Sequence, residues 1–417
     1  MMLKKLMIVP LSVLWRSILR SKLALIRTKT REDYMIKKFS YKYFLVALTV
    51  VFIGVSFFSC QTKRDLPESV MRVIDQVKQK AAPDRRVTVF AVDGYRFGKK
   101  IILRGEMLSP VAKENLLTEL RTQTNFEIVD SVMVLPARSM EADTCGVIRV
   151  SVAQVRRRPD INQEIITQGL MGAEVRLLKK RGGWYFVQLE DQYLGWVMRK
   201  SIASGSIGFL NDWQSKEKLV VKKNYGQVWE KPDAKSSFPV CDVVLGDRLA
   251  LLSKKRGYFQ VELADGRAGF VAPELVEFEK KLLARKASDA KELIRTAKMF
   301  LGIPYFWGGK STKGFDCSGF TQTIYKWNGI QLPRDANMQV KVGTEIPIDD
   351  SLSQVKPGDL LFFGSAKDHI THVAMYLGGG RFIHADGLVH INSLFPQHDD
   401  YSDYRKKHFQ VVRRILE

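Results

Sequence analysis

The feature that most constrains this chain is a stretch written twice. Gln154-Val155 with Pro159-Asp160 recurs as Gln227-Val228 with Pro232-Asp233, and Gly172 through Leu177-Leu178 recurs as Gly246 through Leu251-Leu252. Gly183-Trp184-Tyr185-Phe186-Val187 returns as Gly257-Tyr258-Phe259-Gln260-Val261, and Gly195-Trp196-Val197 as Gly269-Phe270-Val271. Each copy is a run of short alternating strands split by glycine and charged turns, the pattern of a small β-barrel. Two barrels are therefore expected over 145–205 and 215–280, inside a chain of 417 residues that is too long for one core. The copies differ at two positions: Glu164 stands opposite Ser237 or Phe238, and Tyr193 opposite Arg267. On the repeat alone they read either as solvated loop residues or as an acid and a phenol that only one barrel uses.

The formal net charge is +22, and residues 1–60, with eleven Lys/Arg against two acids, carry +9 of it. From Met35 the chain has Lys37, Lys38 and Lys42, then fifteen uncharged, mostly apolar residues from Phe44 to Phe58, then Ser59-Cys60. A basic start, an apolar run of that length and a small residue before the break make a secretory signal, and the run is short for a spanning helix. Phe57-Phe58-Ser59-Cys60 resembles a bacterial lipobox, which implies lipidation of Cys60 and a mature chain outside the cytoplasm in the cell envelope, held to a membrane by its lipid; a second basic, apolar stretch from Lys4 to Trp15 has no role ahead of a complete signal, so translation is expected to start at Met35. No later region is strongly basic, which argues against a nucleic-acid partner, and the Arg156-Arg157-Arg158 cluster is expected to be a solvated turn.

Residues 61–84 are polar, with Pro67 and Pro83, and are expected to be a linker with at most one short helix. Over 85–140 the chain reads strand, strand, helix, strand, with Ser109-Pro110 opening the helix, a small α/β module without recognisable chemistry. The fold class is therefore α+β and multi-domain.

The chemistry lies in 285–417. A helix stripe over Ala290 to Leu301 leads into Tyr305-Phe306-Trp307-Gly308-Gly309 and then Asp316-Cys317-Ser318-Gly319-Phe320, after which a helix runs to Asn328-Gly329. Cys317 thus opens a helix, where free backbone N–H groups and the dipole favour the thiolate. All six histidines follow it. His372 and His384 sit in strand-like runs joined by Gly378-Gly379-Gly380, so both can reach one face of a sheet, one as base and the other orienting it. His369 competes for the role of base, but the apolar strand is expected to begin only at Val373, which favours His372. Four cysteines at wide spacing make neither a disulfide framework nor a metal site, and no cofactor is expected. Cys145 and Cys241 fall in the two barrels at non-equivalent points of the repeat, and their pairing is left open.

Taken together, Tyr305-x-Trp307-Gly308-Gly309, Asp316-Cys317-Ser318-Gly319-Phe320, Arg334-Asp335, Pro357-Gly358-Asp359-Leu360, His372 through Gly378 and Phe382-Ile383-His384-Ala385 resemble the NlpC/P60 papain-like cysteine peptidases of bacterial cell walls. The closing Gly-Trp-Val of the repeat resembles bacterial SH3-like domains. The whole layout resembles the γ-D-glutamyl-L-diamino acid endopeptidases of the dipeptidyl-peptidase VI type. That resemblance implies a papain-like catalytic domain in which Cys317 attacks, His372 is the base, His384 orients it and Tyr305 helps hold the oxyanion. It implies peptidoglycan stem peptides or muropeptides as substrate and a monomeric enzyme. It further implies that Asp316, Ser318 and Asp335, with Glu164 and Tyr193 from the first barrel, receive a free N-terminal L-Ala amine, although Ala336 stands where the family's Arg-Asp-Ser has its serine. Two rivals are a non-catalytic wall-binding lipoprotein, which requires Cys317 to be idle, and a papain-like amidase or acyltransferase for another substrate.

Overall fold

The computed structural model describes residues 65–285 and 289–416; the signal-like segment, Met35 and Cys60 lie outside these. Residues Asp65–Glu417 form one unit. It opens with a helix, Glu68–Ala81, where a linker was expected. Its Val70, Val73, Ile74 and Val77 fall at i, i+3, i+4 and i+7, and all four are buried against Leu116, Leu120, Ile101 and Met107. The segment is therefore a structural layer of the first module. The remainder of that module is a three-stranded sheet, Phe90–Phe97, Lys100–Met107 and Glu127–Val134, with an antiparallel first pair and a parallel second pair. The crossover helix between the parallel strands is Pro110–Gln123, capped by the Ser109 hydroxyl, which accepts the Ala112 N–H at 3.1 Å.

The repeat folds as two seven-stranded antiparallel sheets. Strands Glu174–Arg181, Trp184–Gln188, Leu194–Met198, Val152–Arg156 and Ile165–Leu170 lie side by side in that order, and Arg248–Lys255, Tyr258–Glu262, Ala268–Val271, Tyr225–Trp229 and Pro239–Val244 repeat it. Even the bulges recur, at Leu177/Lys179 and Leu251/Ser253 and again at Val155/Arg156 and Val228/Trp229. The arginine cluster is not a free turn. Arg156 is 8 % exposed and donates to Gln154 and to the Gln163 carbonyl, while Arg157 pairs with Glu164. Cys145 and Cys241 are free thiols.

The last module packs two helices on a six-stranded antiparallel sheet. Its strands run, from one edge, Thr344–Ile346, Phe409–Arg414, Leu360–Ala366, His369–Gly378, Arg381–Asp386 and Leu388–Ser393. Helices Ala290–Lys298 and Cys317–Trp327 cover one face, and the rings of Phe300, Phe315 and Phe320 meet beneath the start of the second helix at centroid separations of 4.9–6.2 Å. No helix among the described residues is long and apolar enough to cross a membrane.

Candidate active site

Asp316 caps the helix that begins at Cys317, its Oδ1 accepting the Gly319 N–H at 2.6 Å. The same carboxylate pairs through both oxygens with Arg334, at 2.9 and 2.5 Å, accepts the Gly308 N–H at 3.0 Å, and takes the Ser318 hydroxyl at 3.2 Å. Asp316, Ser318 and Arg334 are all buried. The expectation that Asp316 and Ser318 face a substrate amine thus meets a different geometry: both oxygens of the acid are spent on fixing the helix and a buried guanidinium. Gly319 is required for this start, because a Cβ there would lie 2.0 Å from the Gly309 carbonyl oxygen.

The backbone N–H groups of Ser318 and of Val373, the residue after His372, favour the thiolate of Cys317. Burial pushes the thiol up to about 12, with the Asp316 charge adding to it, and outweighs the helix-terminal N–H groups that the sequence reading relied on. His372 is 7 % exposed and His384 fully buried, on the adjacent strands His369–Gly378 and Arg381–Asp386. Their rings are nearly perpendicular, and His372 Nε2 lies 2.9 Å from His384 Nδ1. His384 Nε2 lies 3.0 Å from Asn392 Oδ1, and Asn392 is itself oriented by donating Nδ2–H to the Asp400 carbonyl at 3.1 Å.

This chain assigns the tautomers. Asn392 Oδ1 accepts, so His384 carries its proton on Nε2; His384 Nδ1 then accepts from His372 Nε2–H. The lone pair of His372 is left on Nδ1, free for the thiol proton. Burial, Arg405 and the neighbouring rings hold the imidazole of His372 well below the usual histidine value, and burial takes His384 down to about 3 despite the opposing Asn392 bond. Burial thus favours the uncharged form of both rings and of the thiol. His369 is exposed and bonded to Ser365 at 2.9 Å; the strand begins at His369, four residues before the expected Val373.

Tyr305 is half-buried near the thiol, and burial together with the Cys317 and Asp316 charges raises its hydroxyl. The first repeat unit packs against this module. Tyr193, 5 % exposed, donates its hydroxyl to Asp335 Oδ2 at 3.0 Å, and Glu164 Oε1 accepts the indole N–H of Trp307 at 2.9 Å. Arg334 Nε reaches Thr167 at 2.8 Å, the Lys310 N–H reaches Gln168 at 2.9 Å, and Gly308 lies where a Cβ would stand 2.5 Å from the Ile165 carbonyl oxygen. The structure thus brings together Cys317, His372, His384 and Tyr305, and against them Asp335, Glu164 and Tyr193. The sequence reading missed Asn392, which carries no motif, although His390-Ile391-Asn392 places it on the same face of its strand as His390, opposite His384.

One group could be taken for a metal site. His384, Asp386 and His390 offer atoms within 4.8 Å of one another. Both nitrogens of His384 are already bonded and Asp386 is paired with Arg405 at 2.6 Å, so two of the three groups are engaged within the protein.

Comparison with known proteins agrees with this geometry. The NlpC/P60 family model matches residues 302–414, and the model of the bacterial dipeptidyl-peptidase SH3 domain matches residues 155–202. The chain is 34 % identical to a γ-D-glutamyl-L-lysine dipeptidyl-peptidase of Bacillus subtilis over 227 residues, 53 % of this chain and 72 % of that one. It is also 34 % identical to the enzyme of the same name from Bacillus cereus over 229 residues, 52 % of this chain and 66 % of that one. The crystal structure of an NlpC/P60 family protein from Bacillus cereus superposes with a TM-score of 0.56 at 29 % identity, covering 66 % of this chain and all of that one.

Proposed function

The chain belongs to the NlpC/P60 family, and on that premise we propose that it is a cell-wall cysteine peptidase that hydrolyses the γ-D-glutamyl-diamino acid bond of stem peptides bearing a free N-terminal L-Ala. The observation that carries the reading is the bonded chain Asn392, His384, His372 behind a helix-terminal cysteine, closed at one end by Glu164, Tyr193 and Asp335. Cys317 gives its proton to His372 Nδ1 as sulfur attacks the γ-carbonyl carbon, and the carbonyl electrons move to oxygen, held by Tyr305 and a backbone N–H. Collapse breaks the C–N bond, and the departing diamino acid amine takes the proton from His372. Water then attacks the thioester with His372 as base, releasing the dipeptide and restoring the thiol.

The substrate ammonium is received by Asp335 with Tyr193 and Glu164, a charge-assisted contact that limits the cleft to a dipeptide on that side. Asp316 and Ser318, buried on Arg334, act by holding the nucleophile. Anchoring through lipid on Cys60 and action as a monomer belong to the same proposal; mass analysis of the mature N-terminus and sedimentation test them. The principal experiment incubates the enzyme with L-Ala-γ-D-Glu-diamino acid peptides, free and N-acetylated. Much faster cleavage of the free peptide than of the acetylated one, with both abolished by Cys317→Ala, is expected; equal cleavage of both removes the free-amine reading.

A further inference from the structure

Within the first module, the segment that joins helix Glu68–Ala81 to strand Phe90–Phe97, Asp84 to Thr88, runs past the corner where Asp335 and Tyr193 meet. The Arg86 carbonyl accepts the Leu194 N–H at 2.8 Å, the Val87 carbonyl accepts Gln188 Nε2 at 3.0 Å, and the Val87 side chain packs into the core of the first repeat unit. The backbone of Arg86 is therefore pinned beside Tyr193. Its side chain is pinned as well: Asp84 takes the backbone N–H at 2.9 Å, Nε at 3.0 and 3.1 Å, and Nη2 at 2.6 Å. The remaining arm of the fork, Nη1, crosses to the catalytic module and donates to Asp335 Oδ2 at 2.7 Å and to Asn337 Oδ1 at 2.7 Å.

Asp335 is the residue that needs such a clamp. It stands at the N-cap of the short helix Ala336–Gln339 but makes no side-chain cap bond, so the helix does not orient its carboxylate. Its orientation comes from Arg86 and Tyr193, and both bind Oδ2. No hydrogen bond ends on Oδ1 among the described residues. A planar guanidinium held on one side by Asp84 can fix the rotation of a second carboxylate on the other, which a single ammonium head does not do.

We propose that Arg86 is a positioning residue for substrate selection: it locks Asp335 with Oδ1 free to receive the substrate's N-terminal ammonium, so that the N-terminal module takes part in specificity. The proposal rests on the free-amine reading above. The Bacillus cereus structure, matched along its whole length by 66 % of this chain, leaves a third of this chain without a counterpart.

A single Arg86 deletion would mix two effects, since it loosens Asp335 and also bares the charge of Asp84. The test is therefore the charge-neutral pair Asp84→Asn with Arg86→Gln in the full chain, measured on free and N-acetylated L-Ala-γ-D-Glu-diamino acid peptides. The ratio of kcat/KM for free over acetylated peptide is expected to fall ~10-fold, the scale of one charge-assisted hydrogen bond, with the loss carried by KM of the free peptide. Arg86→Lys keeps the charge without the fork and is expected to lose selectivity too; it also carries the test should the double variant fold poorly. An unchanged ratio, an equal loss on both peptides, or full recovery by Lys would overturn the clamp. Wild-type enzyme cleaving both peptides equally would instead overturn the reading on which the clamp depends.

Discussion

Asn392 has no motif around it, yet its carbonyl decides which nitrogen of His372 faces the thiol. Asn392→Ala removes that direction while leaving the three expected groups in place, and kcat should drop, by less than the ~10⁴-fold that a wrong tautomer costs when the group bonded directly to the base is changed, because Asn392 acts one ring further away. His369→Ala, at an exposed residue tied only to Ser365, should retain activity in the same assay. The pH profile follows from the buried rings. His372 is held well below its ordinary value by burial and by Arg405, so the neutral base persists into acid and kcat/KM should be lost only as pH falls through that depressed value. On the alkaline side, free-amine peptides should lose turnover near pH ~8 as their ammonium deprotonates, a limb that acetylated peptides lack. Parallel pH–rate profiles for the two peptides check both limbs.

At the scale of elements, the capping of the catalytic helix couples the nucleophile to a buried ion pair. Asp316→Ala deletes the cap and strands Arg334, 1 % exposed, without its carboxylate. Thermal unfolding should register a loss of ~3–5 kcal/mol, the usual cost of breaking a buried pair from one side. The Trp307 loop has its own steric limit. Gly308 has φ +77° and faces the Ile165 carbonyl oxygen, so Gly308→Ala should displace the loop and raise KM while unfolding stays cooperative. How legible these elements were varied for physical reasons. The N-cap at Ser109, the helix start at Cys317 and the Gly329 stop, φ +83°, could be read because capping chemistry is local, whereas the cap at Asp316 was not read. Over Glu68–Ala81 a short helix within a linker was the most expected, because its composition is polar, although the spacing of Val70, Val73, Ile74 and Val77 carried the signal of a packed one.

At the scale of the molecule, ion pairs join the first repeat unit to the catalytic module and to the second repeat unit. Lys310 pairs with Asp191 at 2.8 Å, and Arg248 and Lys326 both converge on Glu190. Asp191→Ala leaves Lys310 without a partner at the junction, and docking should weaken. A lower melting temperature together with reduced preference for free-amine peptides is the expected result, since Glu164 and Tyr193 ride on the same unit. The sequence by itself determined the repeat, the order of modules, the cysteine at a helix start and the two histidines on neighbouring strands. Each of these depends on local periodicity, capping or spacing along the chain. Only the tertiary structure decided that Asp316 is spent on Arg334, that Asn392 sets the histidine tautomers, and that Arg86 and Tyr193 share one oxygen of Asp335. These contacts join residues separated by up to 249 positions. Which donor meets which acceptor across such a distance is fixed by how the modules pack, and no local pattern in the chain encodes it.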